Sequence, residues 1–138
     1  MNKSALQQAR SKYAPKLPKA LEGNVKAVLG EATKSVSDQE AIAALFPNTY
    51  GLPKLTFEAT AEAVASQPIN VGVILSGGQA PGGHNVIAGI FDGVKKIHAD
   101  GRLYGFLMGP DGLVQHNYIE LTADIIDEYR NTGGFDII

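Results

Sequence analysis

The chain has 138 residues, 44% of them hydrophobic and 19% charged, which is enough apolar material for one globular core. Its 12 basic and 14 acidic side chains give a formal net charge of −2, which excludes binding of nucleic acid through bulk positive charge. No apolar run approaches the roughly 18 residues of a membrane span, and the absence of cysteine excludes disulfides, thiolate zinc sites and cysteine nucleophiles. We therefore expect a cytoplasmic protein with neither nucleic acid nor a membrane as a partner.

Residues 1–68 are predicted to form an N-terminal extension of helical and irregular structure. They contain most of the prolines and show no strong alternating or continuous apolar run. The segment Ser4–Tyr13 predicts a short helix, and Pro15 prevents its continuation. A second helix is predicted after the capping-box pattern Ser37–Glu40, with an apolar stripe that ends at Pro47.

Residues 69–138 predict a strand, a glycine-rich loop, a helix and a second strand. Ile69–Leu75 is a short apolar run rich in β-branched residues, typical of a strand that is covered on both faces. Leu103–Met108 has the same character, and a helix between the two strands makes a parallel βαβ unit. That helix is predicted over Asn85–Ile97, with an apolar arc formed by Val86, Ile87, Ile90, Phe91, Val94 and Ile97. Two glycines beside the arc predict a close approach of helix to sheet: Gly89 and Gly93.

The remaining elements extend this sheet. A turn is predicted at Gly109–Gly112, an extended piece at Tyr118–Leu121, and a helix from its N-cap Thr122 to Arg130. Phe135–Ile138 predicts the first residues of a third strand, and a strand cut at this point indicates an N-terminal piece of a longer protein. The predicted fold class is α/β, a partial doubly wound, Rossmann-like parallel sheet over residues 69–138 behind the N-terminal extension.

The segment Ser76–Asn85 joins the carboxyl end of a predicted parallel strand to the start of a helix, which is where doubly wound sheets bind ligands. Side-chain bulk is absent at four of its positions: Gly77, Gly78, Gly82 and Gly83. Backbone N–H groups can therefore converge on an anion such as phosphate. The alternative is that these glycines only make a tight turn and close packing. Neither the dinucleotide fingerprint nor the Walker A motif fits the segment, since it lacks the required glycine spacing and the Walker lysine.

Other residues with reactive side chains form no recognisable site by their spacing. Three histidines lack the i, i+4 spacing and the cysteine partners of a metal site: His84, His98 and His116. For the first of these, a packing or solvent role is favoured over contact with a ligand. No acid–base pair is indicated among three candidate carboxylates: Asp92, Asp111 and Asp136. A solvated cationic face is predicted for Lys95, Lys96 and Arg102.

The segment Val73–Asn85 resembles the first phosphate loop of the phosphofructokinase family. Its Gly-Gly-Gln-Ala-Pro-Gly-Gly-His-Asn form is similar to that of the long, diphosphate-dependent branch. The segments Leu103–Leu113 and Tyr129–Asp136 resemble that branch's second strand and the entry to its third. Two further segments are similar to its N-terminal extension: Lys16–Leu21 and Leu45–Gly51. The resemblance therefore covers almost the whole chain and implies a truncated phosphofructokinase fold.

This resemblance implies a magnesium-dependent, reversible step of glycolysis. In that step a phosphoryl group passes from inorganic diphosphate to the 1-hydroxyl of fructose 6-phosphate, in a protein that forms homo-oligomers. Two alternatives stay open, an ATP-dependent 6-phosphofructokinase and a non-catalytic regulatory subunit of the same fold. ATP-dependent relatives commonly carry aspartate where Gln79 stands, which favours diphosphate as the donor. The family pattern places Gly77 against the donor phosphate, whereas Gly78, Gly82 and Gly83 shape the cradle.

The resemblance assigns no catalytic residue and no metal ligand to residues 1–138. The family's Gly-Ser-Gly-Arg, Gly-Gly-Asp and Thr-Ile-Asp-Gly-Asp motifs, which supply the phosphate contact, the Mg²⁺ ligands and the catalytic base, do not occur in this sequence. We therefore expect the Mg²⁺ ligands elsewhere in the protein. Backbone amides alone do not supply the metal and cations that phosphoryl transfer needs, so the isolated piece is expected to be inactive.

Overall fold

The computed structural model describes residues 3–19, 22–62 and 67–138. The chain divides into two compact units, one formed by Met1–Pro15 with Ala65–Ile138 and the other by Lys16–Val64. In chain order the elements are α1 (Ala5–Ser11), β1 (Val25–Ala32), α2 (Gln39–Leu45), β2 (Pro53–Ala59), β3 (Asn70–Val73), α3 (Gly83–Ile97), β4 (Arg102–Phe106), α4 (Pro110–Val114), β5 (Tyr118–Glu120) and α5 (Ala123–Tyr129). None of the helices in the described ranges is long and apolar enough to cross a membrane.

The first unit contains a three-stranded sheet in the order β3-β4-β5. Strands β3 and β4 are parallel, with Val71 opposite Leu103, and α3 connects them, so the predicted βαβ unit is confirmed. Strand β5 runs antiparallel to β4, which makes the sheet mixed rather than wholly parallel. The core between sheet and helices is built from Val73, Ile87, Ala88, Phe91, Leu103, Leu121, Ile126 and Ile137.

Helix α3 begins two residues earlier than predicted, and its buried face is narrower. Val86 is 58% exposed and Ile97 is 46% exposed, so the prediction that both belong to the buried arc is wrong. At about 100° per residue, these two side chains lie at the margin of an arc centred on Ile87 and Phe91. Gly89 and Gly93 lie on the opposite, exposed face, which contradicts the predicted close approach to the sheet.

The predicted third strand at Phe135–Ile138 is not formed; the structure has a bend and a turn there. Strand β4 is already paired with β3 on one edge and with β5 on the other. Ile138 contacts this strand across its face, against the space that a side chain at Gly105 would fill. The turn predicted at Gly109–Gly112 is the start of the short helix α4, of which Gly109 is the N-cap. Thr122 is the N-cap of α5, as predicted, but its side chain makes no capping hydrogen bond.

The unit formed by residues 16–64 differs most from the prediction, because strands β1 and β2 make an antiparallel two-stranded sheet. Leu29 lies opposite Leu55 and Ala27 lies opposite Phe57. Both strands are mostly exposed, and their register shifts after Leu29, so the alternation of apolar residues is short. An extension of purely helical and irregular structure is therefore the wrong description of this segment.

Of the two helices predicted in the extension, α1 has the capping box and α2 lacks it. The Ser4 hydroxyl accepts from the Gln7 amide at 3.2 Å, and the Gln7 side chain accepts from the Ser4 amide at 2.8 Å. At α2 the N-cap is Asp38, in a left-handed conformation with φ of 53° and no side-chain capping bond. The Ser37 hydroxyl donates instead to the Asp38 carboxylate, so the predicted box at Ser37–Glu40 is wrong.

Candidate anion-binding loop

The loop between β3 and α3, residues 74–82, is exposed along its middle. Gly77 and Gly82 have left-handed φ angles of 100° and 96°, which residues with a side chain rarely adopt. A Cβ on Gly77, Gly78 or Gly82 would meet no heavy atom of the described residues within 4 Å. Gly83 is different, since its Cβ would lie 2.5 Å from the ring of Phe135. Close packing therefore explains Gly83 but not the other three glycines.

The backbone amides of this loop fall into two groups. Among the described residues, the amides of residues 76–80 donate no hydrogen bond. Two amides at the start of α3 are already used: Gly82 donates to the Gly133 carbonyl at 3.1 Å, and His84 donates to the Gly134 carbonyl at 3.0 Å. Gly83, between them, is buried. The donors that remain available to an anion are therefore in the exposed middle of the loop, around Gly77 and Gly78.

The carbonyls that accept these two hydrogen bonds belong to the segment Arg130–Asp136, which packs against the start of α3 and which we call the clasp. Besides its two carbonyls, the clasp contributes the Asn131 amide, which donates to the Asn85 side chain at 2.8 Å. The Asn131 side chain in turn donates to the carbonyls of Arg10 and Tyr13, at 2.8 and 3.1 Å. The clasp therefore holds both the N-terminus of α3 and the C-terminal end of α1 with the residues just after it.

His84 is the buried centre of this contact, with 4% of its surface exposed. Its Nδ1 lies 2.6 Å from the Thr132 hydroxyl, and its Nε2 accepts from the Asp136 amide at 3.0 Å. The edge of its ring packs against Tyr129, with ring centroids 4.9 Å apart. These contacts place the imidazole in a packed, hydrogen-bonded position and leave it no surface toward the exposed middle of the loop, in line with the packing role favoured by the sequence.

Two candidate charged groups of α3 are used in structural contacts. Asp92 accepts two hydrogen bonds from the Arg130 guanidinium, at 2.8 and 2.9 Å. The hydrogen bond to Asp92 raises the pKa of Arg130 above its ordinary value; partial burial opposes this shift, and the contact with Asp127 adds to it. Lys95 donates to the carbonyls of Ala99 and Gly101 at the end of the helix. It is nevertheless exposed, as are Lys96 and Arg102, in line with the predicted solvated face.

The other predicted residues are dispersed. Asp111 is exposed in the first turn of α4, and His116 is exposed in the connection between α4 and β5. On β4, a hydrogen bond with Tyr104 raises the pKa of Arg102, as does the charge of Glu120. Within the described ranges no three carboxylate or imidazole groups lie close enough to hold a metal ion. The structure therefore assembles an amide-lined loop in this part of the chain.

The contacts of Asn131 and Thr132 are the part of this arrangement that the residue-by-residue analysis missed. Their partners lie 46 and 48 residues away in sequence. The only signal was the resemblance of Tyr129–Asp136 to a family segment, which gave the motif but not its contact with the loop.

No protein-family model matches the chain. It is 64% identical to pyrophosphate–fructose 6-phosphate 1-phosphotransferase of Porphyromonas gingivalis over 138 residues, which are all of this chain and 25% of the relative. It is 47% identical to the enzyme of that name from Treponema pallidum, over all of this chain and 26% of the relative. With the subunit beta 1 from Arabidopsis thaliana the identity is 43%, over 98% of this chain and 24% of the relative. The chain is therefore homologous to pyrophosphate-dependent phosphofructokinases and spans about a quarter of the length of these relatives.

Proposed function

We propose that the intact protein containing these 138 residues transfers a phosphoryl group from inorganic diphosphate to the 1-hydroxyl of fructose 6-phosphate, in glycolysis. The observation that carries the proposal is the 64% identity, over every residue of this chain, to a relative that bears the name of this activity. The exposed glycine loop adds support from the structure, because the reaction requires a site for a highly charged anion. Inorganic diphosphate and fructose 6-phosphate are accordingly the proposed small-molecule partners, in a cytoplasmic homo-oligomer.

In this proposal the amides of Gly77 and Gly78 donate hydrogen bonds to phosphate oxygens of the donor. Both amides lie in the part of the loop that has no internal partner among the described residues. Bare backbone allows the close approach that a Cβ would block, and fixed N–H dipoles stabilise negative charge without reorganising during the reaction. Gly82 and Gly83 shape the cradle, one through its left-handed φ and the other through its contact with Phe135.

Catalysis and metal binding are assigned to residues outside this chain. Magnesium prefers carboxylate and phosphate oxygens, and the described residues bring no suitable group of side chains together. Transfer of a phosphoryl group depends on cations that neutralise charge on the moving group. The loop therefore contributes binding and orientation of the donor, which is only one part of the reaction.

The experiment is a donor comparison with the intact protein. Purified protein, fructose 6-phosphate and Mg²⁺ are mixed with either inorganic diphosphate or ATP, and formation of fructose 1,6-bisphosphate is followed. Turnover with diphosphate and none with ATP is expected. Turnover with ATP alone overturns the choice of donor, and binding of sugar phosphate without any turnover identifies a regulatory subunit.

A further inference from the structure

We propose that Thr132 and His84 are positioning residues for the donor loop: together they hold the clasp on the start of α3 and so fix the place of the Gly77 and Gly78 amides. This inference rests on the proposed function of the loop. Neither side chain has surface toward the exposed part of the loop, so their effect on the donor is transmitted through backbone contacts.

The loop is anchored at both of its ends. At its N-terminal end it continues from β3, where Val73 is paired with Gly105 of β4. At its C-terminal end the anchor is the pair of bonds from Gly82 and His84 to the clasp carbonyls of Gly133 and Gly134. Residues 76–80 between these ends have no hydrogen-bonded amide of their own within the described chain. The position of the free amides therefore depends on both anchors, and only the second is made by irregular backbone.

The clasp itself is fixed by the hydrogen bonds of Thr132 and His84. The Thr132 hydroxyl donates to the Tyr129 carbonyl at 2.5 Å, so its hydrogen is already used. Its oxygen must then accept from the Nδ1–H of His84, 2.6 Å away. The other ring nitrogen accepts from the Asp136 amide, on the far side of the clasp. A single buried ring thus joins two points of the clasp that are four residues apart.

The two ring nitrogens differ in how their partners are arranged. The Asp136 carboxylate lies 2.9 Å from Nε2 and is largely exposed, so Nε2 lies next to both the amide and the side chain of Asp136. Nδ1 has the Thr132 hydroxyl as its hydrogen-bond partner. The Thr132 hydroxyl is therefore the contact that fixes the Nδ1 side of the ring.

The clasp fits closely around the imidazole ring of His84. A Cβ on Gly134 would overlap the Cε1 of His84, and one on Gly83 would overlap Phe135 of the clasp. The clasp can sit this close to α3 only because both positions lack a side chain. A small rotation of the imidazole would move the Gly133 and Gly134 carbonyls, and with them the amides of Gly82 and His84.

The test is the affinity of the intact protein for inorganic diphosphate, measured by calorimetry without sugar phosphate. Thr132→Val keeps the size of the side chain and removes the hydroxyl, and we expect about a tenfold weaker Kd for diphosphate. Thr132→Ser keeps the hydroxyl and should restore the Kd to within about twofold of the original. His98→Asn, at the opposite end of α3, is the matched control and should leave the Kd unchanged.

Two further readouts separate positioning from general loss of structure. In steady-state kinetics, Thr132→Val should raise the KM for diphosphate and leave the KM for fructose 6-phosphate within about twofold, because only the donor loop moves. If Thr132→Val does not fold, His84→Asn is the second variant, with the same expected split between the two substrates. An unchanged Kd for diphosphate, or an equal rise of both KM values, overturns the inference.

The same measurements distinguish a failure of the proposed function from a failure of this positioning inference. Diphosphate that binds the unmodified protein without being turned over removes the proposed reaction and leaves the Kd comparison between Thr132→Val and Thr132→Ser intact. Diphosphate that does not bind the unmodified protein at all overturns both.

Discussion

Two glycine-containing turns follow the two parallel strands, and they use glycine for opposite reasons. In the turn after β4, a Cβ on Gly112 would overlap the carbonyl of Leu107 and lie 2.9 Å from the carbonyl of Asn117. A Cβ on Gly109 would lie 3.0 Å from the Leu75 carbonyl. In the loop after β3, the Cβ positions of Gly77, Gly78 and Gly82 face open space, at least with respect to the described residues.

The two turns therefore contain two kinds of glycine. One kind allows two backbone segments to pack closely, and the other leaves the backbone amides exposed. The first kind contributes to stability, because the backbone of the turn closes on itself where a side chain would stand. The second kind gives no packing. At Gly77 and Gly82 the left-handed φ favours glycine, whereas at Gly78 neither φ nor a contact does, and its bare amide is left open to a ligand. Substitutions in the two turns should therefore have different consequences, one for unfolding and the other for donor binding.

The largest expected effect is on stability, at Gly112. Gly112→Ala places a methyl group against the backbone of Leu107, which cannot move without disturbing the end of β4, and should lower the free energy of unfolding by about 3 kcal/mol. Chemical denaturation of the intact protein measures this. Gly78→Ala is the control, since neither contact nor left-handed φ opposes its methyl group. A loss below about 1 kcal/mol at Gly112 would show that the turn tolerates a side chain.

The next effect is on the reaction, at Gly78. The methyl group of Gly78→Ala stands over amides that are proposed to hold the donor, and should lower kcat/KM for diphosphate about 30-fold. The free energy of unfolding should change by less than about 0.5 kcal/mol. Kinetics with fructose 6-phosphate varied at saturating diphosphate provide the internal control. Unaltered kcat/KM for diphosphate would place the donor elsewhere and remove the contrast between the two turns.

A smaller effect is expected at Gly82, where the loop enters α3. Its φ of 96° is in the left-handed region, so Gly82→Ala should cost about 1.5 kcal/mol of stability through backbone strain alone. Gly82→Asn should cost less, because asparagine tolerates this region better. The two melting temperatures are compared directly. Equal losses for alanine and asparagine would indicate a steric cause, which the open space around Gly82 does not provide.

The sequence predicted those parts of the fold whose signal is local. Apolar runs and glycine punctuation located β3, α3 and β4, and the resulting parallel unit is present. Strands β1 and β2 were missed because Leu55 and Phe57 alternate with polar residues over too few positions, and both remain about half exposed. The strand predicted at Phe135–Ile138 is absent, and Ile138 packs instead on the face of β4 at Gly105, a distant contact that no local window contains.

The same division applies to the candidate site. The composition of residues 76–83 was sufficient to identify a bare loop at the end of a parallel strand, and the structure has one. The clasp was not predictable in this way, because the side chain of His84 finds its partner 48 residues later. A histidine next to a glycine loop has the same local sequence whether it faces a ligand or is buried against Thr132, and only the packing of α5 decides between them.

The smallest expected effect is on stability, at Gly89 of α3, where the predicted close packing against the sheet was wrong. Gly89 lies on the exposed face of α3 with no heavy atom of the described residues near its Cβ position. Gly89→Ala should therefore raise the free energy of unfolding by about 0.7 kcal/mol, since alanine loses less backbone entropy in a helix. Gly93→Ala, one turn further along the same face, should behave alike in chemical denaturation. Destabilisation by both variants in the intact protein would mean that other residues cover this helix face there. Gly89 and Gly93 would then be glycine because a neighbour packs closely against them, as at Gly112, and not because they are exposed, as at Gly78.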